Sequence, residues 1–330
     1  MKEIAVPSST IAWCEQALAA KGAAVVGMQP LRVEASHRCF YRVQTNQGSV
    51  VLMDSPPRLE RNEQFALLGA VFHRHAIPVA EILAHDQTQG LFLLEDLGDV
   101  HLEDSYGTSL EDEALTAAID LLPRLAAVTD PAIEPYTAER LYTELDVFSE
   151  WFIGKLLGLK VDAGSYQDIC ERLVTAIDAQ PKCCTHRDYH CRNLLYSNGR
   201  LGVVDFQDAL HGPVLYDIAS LLRDCYHVFA EADIDHWLGY FTAQTPQLEA
   251  FPIEQIKRWF DWTAIQRQLK AVGIFSRMYL RDSKVTHLVY ILPLLERINA
   301  CAGDYPELQP LNEQLSGCIE SAKPILADLT

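Results

Sequence analysis

Residues 183–209 read CCTHRDYHCRNLLYSNGRLGVVDFQDA, and this short span concentrates chemistry: Cys183, Cys184, Cys191, His186, His190, Asp188, Asn193, Asp205 and Asp208 all fall within it. Structural zinc asks for ligand pairs such as C-x2–4-C with a second pair further along the chain. Cys183 and Cys184 are adjacent, point oppositely in an extended segment, and have no second pair after them. A thiol nucleophile at Cys191 would have His190 or His186 close by in sequence, which is not how such sites are assembled. A plain small residue in a loop is the simpler reading of Cys191.

Phosphoryl transfer explains the spacing better. His186-Arg187-Asp188, then Asn193, then an apolar strand closing on Asp205-Phe206, repeats the pattern H-R-D-x4-N followed by D-F. One carboxylate must sit against the attacking hydroxyl, orient it and take its proton; that role falls to Asp188. An amide oxygen and a second carboxylate must hold Mg²⁺ against the phosphates of ATP; those roles fall to Asn193 and Asp205. Two short strands, 194–197 and 201–206, joined by Asn198-Gly199, fix the separation of the two ligands. His186 reads as a hydrogen-bonded scaffold and Arg187 as a brace for the loop.

The chain has 330 residues, which favours two lobes over one core. Hydrophobic residues make up 49% and charged ones 22%, enough apolar material for a large core without disulfide staples. A formal net charge of −18 argues against binding to nucleic acid or to an anionic membrane, both of which need a basic surface. Nine cysteines are scattered without a framework, and the opening MKEIAVPSST lacks the apolar run of a signal peptide. No stretch approaches a membrane span, so a reducing cytoplasm is the expected compartment.

Outward from the central stretch, the N-terminal third looks β-rich. Residues 40–44 and 49–53 flank a tight turn at Asn46-Gln47-Gly48, a helical pattern runs from 62 to 75, and two more short strands precede Asp96-Leu97-Gly98. Amphipathic helical patterns then cover 111–128, 138–158 and 165–179, and resume after the central stretch at 216–226, 233–243, 253–280 and 287–301. The expected organisation is α+β: a small β-rich N-terminal lobe for the nucleotide, residues 1–97, and a larger mainly helical C-terminal lobe for catalysis and substrate, residues 98–330.

With those motifs in view, the chain resembles the aminoglycoside-phosphotransferase-like branch of the protein-kinase-like fold. Within it, the resemblance is greatest to the anomeric sugar kinases of bacterial cell-wall recycling, which phosphorylate N-acetylmuramate and N-acetylglucosamine at C1. The segments ASHRCFYRV (35–43), VVLMDSPP (50–57), LLEDLGD (93–99) and 185–226 carry it, with a weaker fifth at QLKAVGIFSRMYLRDSK (268–284). The resemblance implies ATP and Mg²⁺ as cofactors, Asp188 as the catalytic Asp, and Asn193 and Asp205 as metal ligands. It implies that Asp217 hydrogen-bonds the catalytic-loop backbone, and that the Glu95–Leu97 crossing reads adenine through its peptide groups. It implies a small amino sugar as the partner.

Two departures stand out. No G-x-G-x-x-G loop is present, and Met53 occupies the position of the usual strand lysine. Ser36 and Arg38, with Arg42 as a further candidate, are expected to supply the phosphate contacts instead, since an arginine fork binds phosphate in bidentate fashion. Gln207 and Asp208 follow the metal loop and are placed to meet sugar hydroxyls or an N-acetyl group, with Asp224 a more distant candidate. Arg223, Arg277 and Arg281 are basic residues in an acidic chain, and Arg277 and Arg281 share a helix face; they are candidates for a substrate carboxylate. Other small-alcohol kinases of the same fold (for an aminoglycoside, a choline-like amine or homoserine) and a nucleotide-binding regulator are the competing readings.

Overall fold

The computed structural model describes residues 6–31, 37–160 and 162–329. In chain order its elements are α1 (Ser8–Ala19), β1 (Val25–Pro30), β2 (Cys39–Thr45), β3 (Gly48–Asp54), α2 (Asn62–Arg74), β4 (Ile82–Asp86), β5 (Leu91–Glu95), α3 (Glu111–Ala126), α4 (Ala138–Val147), α5 (Ala163–Asp178), β6 (Lys182–Thr185), β7 (Leu194–Ser197), β8 (Arg200–Val203), β9 (Leu210–Pro213), α6 (Tyr216–Leu222), α7 (Glu231–Ala243), α8 (Ile253–Asp282), α9 (Ile291–Gly303) and α10 (Gln309–Ala327). Tertiary packing groups them into two compact units. One comprises Met1–Leu121, Asp130–Ile133 and Arg192–Ala209, the other Leu122–Thr129, Glu134–Cys191 and Leu210–Thr330, so the grouping does not follow the chain in two continuous blocks.

The first unit is built on an antiparallel sheet of order β1-β2-β3-β5-β4. Alternation along the strands gives it two apolar faces. Tyr41, Val43, Leu52 and Leu93 meet Cys14 and Leu18 of α1 on one face. On the other, Phe65 of α2 packs edge-on to Phe92 at 5.4 Å and stacks with Phe206 at 5.1 Å. Gly90 has no substitute, because its φ is +74° and a Cβ there would lie 1.9 Å from the Ser55 carbonyl oxygen. The β7–β8 hairpin belongs to this unit; Asn198 and Gly199 both take positive φ at its turn, as a two-residue type I′ connection requires.

The second unit is helical. α8 runs through its centre and is buried without interruption from Trp259 to Leu269, the pattern of a helix enclosed all round. Leu145, Phe148, Phe152, Leu173, Ile265, Leu269, Leu294 and Leu315 meet in the core around it. Gly273 lets α8 approach Val147 and Phe148 so closely that a Cβ would stand 2.6 Å from their backbone. At that point the expected helix 138–158 changes character: α4 ends at Val147 and the chain continues as π-helix over Phe148–Leu156.

Several elements depart from the periodicity reading. The periodicity reading does not include α1, β1 and α10, nor the β6–β9 pair, whose four-residue strands are too short to show a period. The second strand of the central hairpin stops at Val203 rather than 206. Asp205 takes φ +62°, a left-handed conformation that a strand cannot contain.

Candidate active site

In the helical unit the loop 186–191 follows β6 and is held by two buried carboxylates flanking one short helix. Asp217, in the first turn of α6, accepts the amides of His186 at 2.6 Å and Arg187 at 2.8 Å. Asp224, just beyond the helix, accepts the amides of Cys191 at 2.9 Å and Tyr226 at 3.0 Å. These bonds satisfy backbone donors that a buried loop would otherwise leave unpaired. They also hold Arg187 at φ +77°, a conformation that only a well-determined surrounding maintains.

The Arg187 side chain turns inward. Its guanidinium donates to Glu144 of α4 at 2.5 Å and lies 4.9 Å from the centre of the Tyr136 ring. Glu144 is a hub. It also accepts from the Tyr136 hydroxyl, from Gln266 Nε2 at 3.2 Å, and pairs with Lys270 at 3.1 Å. Burial opposes its ionisation, but Lys270 and Arg187 hold its carboxyl below the usual glutamate range.

Asp188 sits half-buried between these anchors. Burial again works against the charge, and Lys270, then Arg267, Arg187 and His190, outweigh it and hold the carboxyl well below the usual range. The carboxylate at this position is therefore ionised at every physiological pH.

In the other unit, the Val204 amide donates to the Asn193 carbonyl at 3.0 Å, extending the β7–β8 ladder one step past its last paired residues. Asn193 thus sits at the mouth of the hairpin, beside the turn that carries Asp205. The Asp205 side chain is 50% exposed; its Oδ1 accepts from Gln207 Nε2 at 2.7 Å and lies 4.0 Å from Arg38 Nη1. Its Oδ2 has no protein partner among the described residues. A carboxylate with a bare oxygen and a side-chain amide, carried on neighbouring backbone, are hard oxygen donors of the kind a divalent cation such as Mg²⁺ takes.

Arg38 is 4% exposed, with Ser55 Oγ at 3.3 Å, Glu60 at 3.4 Å and the Phe65 ring at 5.3 Å. Arg42 is committed elsewhere: it forks onto Asp96 at 2.8 and 3.0 Å and reaches Asp99 at 2.8 Å. Met53, at the position of the usual strand lysine, is fully buried in the sheet. Glu95 closes β5 with an exposed side chain, and the Leu97 amide finds no protein acceptor among the described residues. Ser36 lies outside the described residues.

The expected substrate residues fall in both units. Gln207 is bound to Asp205, and Asp208 lies 3.5 Å from Arg61. Arg223 is held by Glu231 at 2.5 and 2.7 Å and by Asp261 at 3.3 Å. Arg281 forks onto its neighbour Asp282 at 2.8 and 2.9 Å, on the surface. Arg277 is half-buried on the same helix. The expected roster lacks Glu144, Lys270 and Arg267, because they lie 44 to 82 positions from Asp188 in sequence. Lys270 and Arg267 offered little local signal, since Asp261, Gln266 and Gln268 make the same helical run polar as well.

Cys183 and Cys184 lie in β6 opposite Gly212 and His211, and burial pushes both thiols far above their ordinary range. Inert thiols of this kind pack as small apolar side chains. Among the described residues no group of three or more His, Cys, Asp or Glu could hold a metal.

A loop bearing Asp188 on a helical body, and a hairpin bearing Asn193 and Asp205 joined to an antiparallel sheet, are elements found in phosphotransferases of the protein-kinase-like class. The family model described as "Phosphotransferase enzyme family" matches residues 27–251, and the chain belongs to that family. It is 35% identical to the N-acetylmuramate/N-acetylglucosamine kinase of Pseudomonas putida, over 86% of this chain and 86% of that protein. To the protein of the same name from Neisseria meningitidis serogroup B it is 34% identical, over 84% and 86%. Among solved structures, choline kinase LicA from Streptococcus pneumoniae superposes with a TM-score of 0.66 at 12% identity, covering 90% of this chain and all of that one (100%). The likeness confirms the α+β, protein-kinase-like fold class. No helix among the described residues is long and apolar enough to cross a membrane.

Proposed function

We propose that the chain transfers the γ-phosphoryl group of ATP to the anomeric C1 hydroxyl of N-acetylmuramate and N-acetylglucosamine, salvaging cell-wall sugars in the cytoplasm. The identity of 35% to a kinase of that name over 86% of both chains carries the reading. Asp188 orients the C1 hydroxyl and accepts its proton as the new oxygen–phosphorus bond forms; the bond from the γ-phosphorus to its bridging oxygen breaks and ADP leaves. An anomeric hydroxyl is more acidic than an ordinary alcohol. A strongly ionised, weakly basic carboxylate therefore suffices, and alignment supplies most of the rate.

Asn193 and Asp205 would hold Mg²⁺, which when bound neutralises phosphate charge and draws electron density from the transferred group. Arg38, buried and near Asp205, takes the part of the missing strand lysine, while the free Leu97 amide and the Glu95 carbonyl are offered to adenine. His186 and Arg187 keep the loop in shape through Asp217 and Glu144.

Incubating the protein with Mg-ATP and a panel of amino sugars, aminoglycosides, choline and homoserine tests the reading. Phosphate on C1 of the two N-acetyl sugars is the expected product. Transfer confined to an amine-bearing alcohol, or nucleotide binding with no turnover on any acceptor, would remove it.

A further inference from the structure

Because α8 is enclosed from Trp259 to Leu269, each polar side chain in that span needs a partner within the protein or in a ligand. Thr263 accepts from Gln180 at 2.8 Å, Gln266 donates to Glu144, and Gln268 donates to the Arg223 carbonyl at 2.9 Å. Trp262 Nε1 and Gln266 Oε1 lack partners among the described residues, and so does Arg267, the unpaired group of this span that carries a charge. It is 6% exposed, its Nε and Nη1 are buried, and among the described residues they have no hydrogen-bond partner. No carboxylate lies within ion-pairing distance of it among those residues. A guanidinium cannot escape this by losing its proton.

The acids around it have other work. Glu144 holds Arg187 and Lys270, Asp217 holds the amides of His186 and Arg187, and Asp224 holds those of Cys191 and Tyr226. Arg267 also lies within electrostatic reach of Asp188, the residue that faces the acceptor hydroxyl in the function proposed above. Arg277 does not share this position: ten residues further on, it is displaced by about 15 Å along the helix axis. Arg281 is already forked to Asp282.

We propose that Arg267 binds the lactyl carboxylate of N-acetylmuramate and sets the preference for that sugar over N-acetylglucosamine, which lacks the group. The inference rests on the function proposed above. A planar guanidinium offers a carboxylate two bidentate edges, Nε with Nη2 and Nη1 with Nη2, and in Arg267 both edges include a nitrogen with no protein partner among the described residues, while a buried cation gains most from a charged partner. In an acidic protein, leaving one cation unpaired beside the catalytic loop provides a place for an anion that arrives with the substrate.

The test is steady-state kinetics of Arg267→Gln and Arg267→Lys with both sugars, together with thermal melts. For Arg267→Gln, KM for N-acetylmuramate should rise about 10- to 100-fold, the worth of a charge-assisted hydrogen-bonded pair. The same variant should leave KM for N-acetylglucosamine within about threefold, any loss of kcat through Asp188 being shared by both sugars, and Arg267→Lys should recover part of the N-acetylmuramate KM loss. Tm should change little in Arg267→Gln, since the attraction this charge lends Asp188 is offset by the cost of burying it without a hydrogen-bonded partner. Equal rises in KM for both sugars overturn the inference while leaving the kinase reading intact. So does a collapse of Tm in both variants, or a wild-type protein that phosphorylates N-acetylglucosamine alone. A wild-type protein that phosphorylates neither sugar overturns the functional reading and this inference with it.

Discussion

Arg187 and Glu144 lie 43 residues apart, yet the guanidinium of one and the carboxylate of the other form a buried ion pair at 2.5 Å beneath the catalytic loop. Glu144 has a second cation in Lys270, so the two members of the pair are not equivalent. Glu144→Ala strands two buried cations and should destabilise the protein by about 3–5 kcal/mol. Arg187→Met leaves Glu144 paired with Lys270 and should cost less. Urea unfolding of both variants measures the difference; equal losses would contradict the hub role of Glu144.

Asp188→Asn removes the proposed proton acceptor but no proposed nucleotide contact. It should lower kcat by about 10²–10⁴-fold with ATP affinity retained. Asp205→Ala removes a proposed metal ligand and should abolish the dependence of nucleotide binding on Mg²⁺. Calorimetric titration with and without the metal separates the two outcomes; an Asp188→Asn enzyme with near-normal turnover would refute the base assignment.

Asp188 also carries a pH signature. Its folded pKa is depressed, so the stabilisation it draws from Lys270, Arg267, Arg187 and His190 is complete above the unfolded aspartate value of about 3.9 and is lost as pH falls from there through its lower folded value. Glu144 behaves in the same direction. The wild-type kcat/KM profile should accordingly show no limb from this carboxylate above pH of about 4. Lys270→Met removes the strongest of the depressing charges and should move that limb upward. A limb that stays in place would show that Lys270 does not act on Asp188.

Arg38 and Arg42 should part company. Arg38→Ala should raise KM for ATP by about 10-fold or more, the loss of a charged hydrogen bond, with sugar KM unchanged. Arg42→Ala should instead lower Tm, because it releases Asp96, whose carboxyl Arg42, Ser49 and the Gly98 amide hold below the usual range against its burial. An ATP-specific defect in Arg42→Ala without a loss of Tm would reverse the assignment.

The sequence by itself determined what is local. The spacing from His186 through Asp188 and Asn193 to Asp205 is set by one loop and one hairpin, and Asn198-Gly199 names its own turn, so the fold class could be read off consecutive residues, and the groups proposed to react lie on the same short span. Helices with a clean amphipathic period, such as α2, α3 and α5, were legible for the same reason. Tertiary structure alone decided the rest. Which arginine stays near Asp205 and which locks onto Asp96 depends on strand pairing between distant segments. Glu144, Lys270 and Arg267 meet the loop only because Gly273 lets α8 run tight against α4, and no one-dimensional pattern records a contact made across 80 residues. A charged side chain in a buried helix is visible in the sequence; whether it is neutralised by the protein, as Lys270 is, or left for a ligand, as Arg267 is, follows from which carboxylates the packing brings within reach.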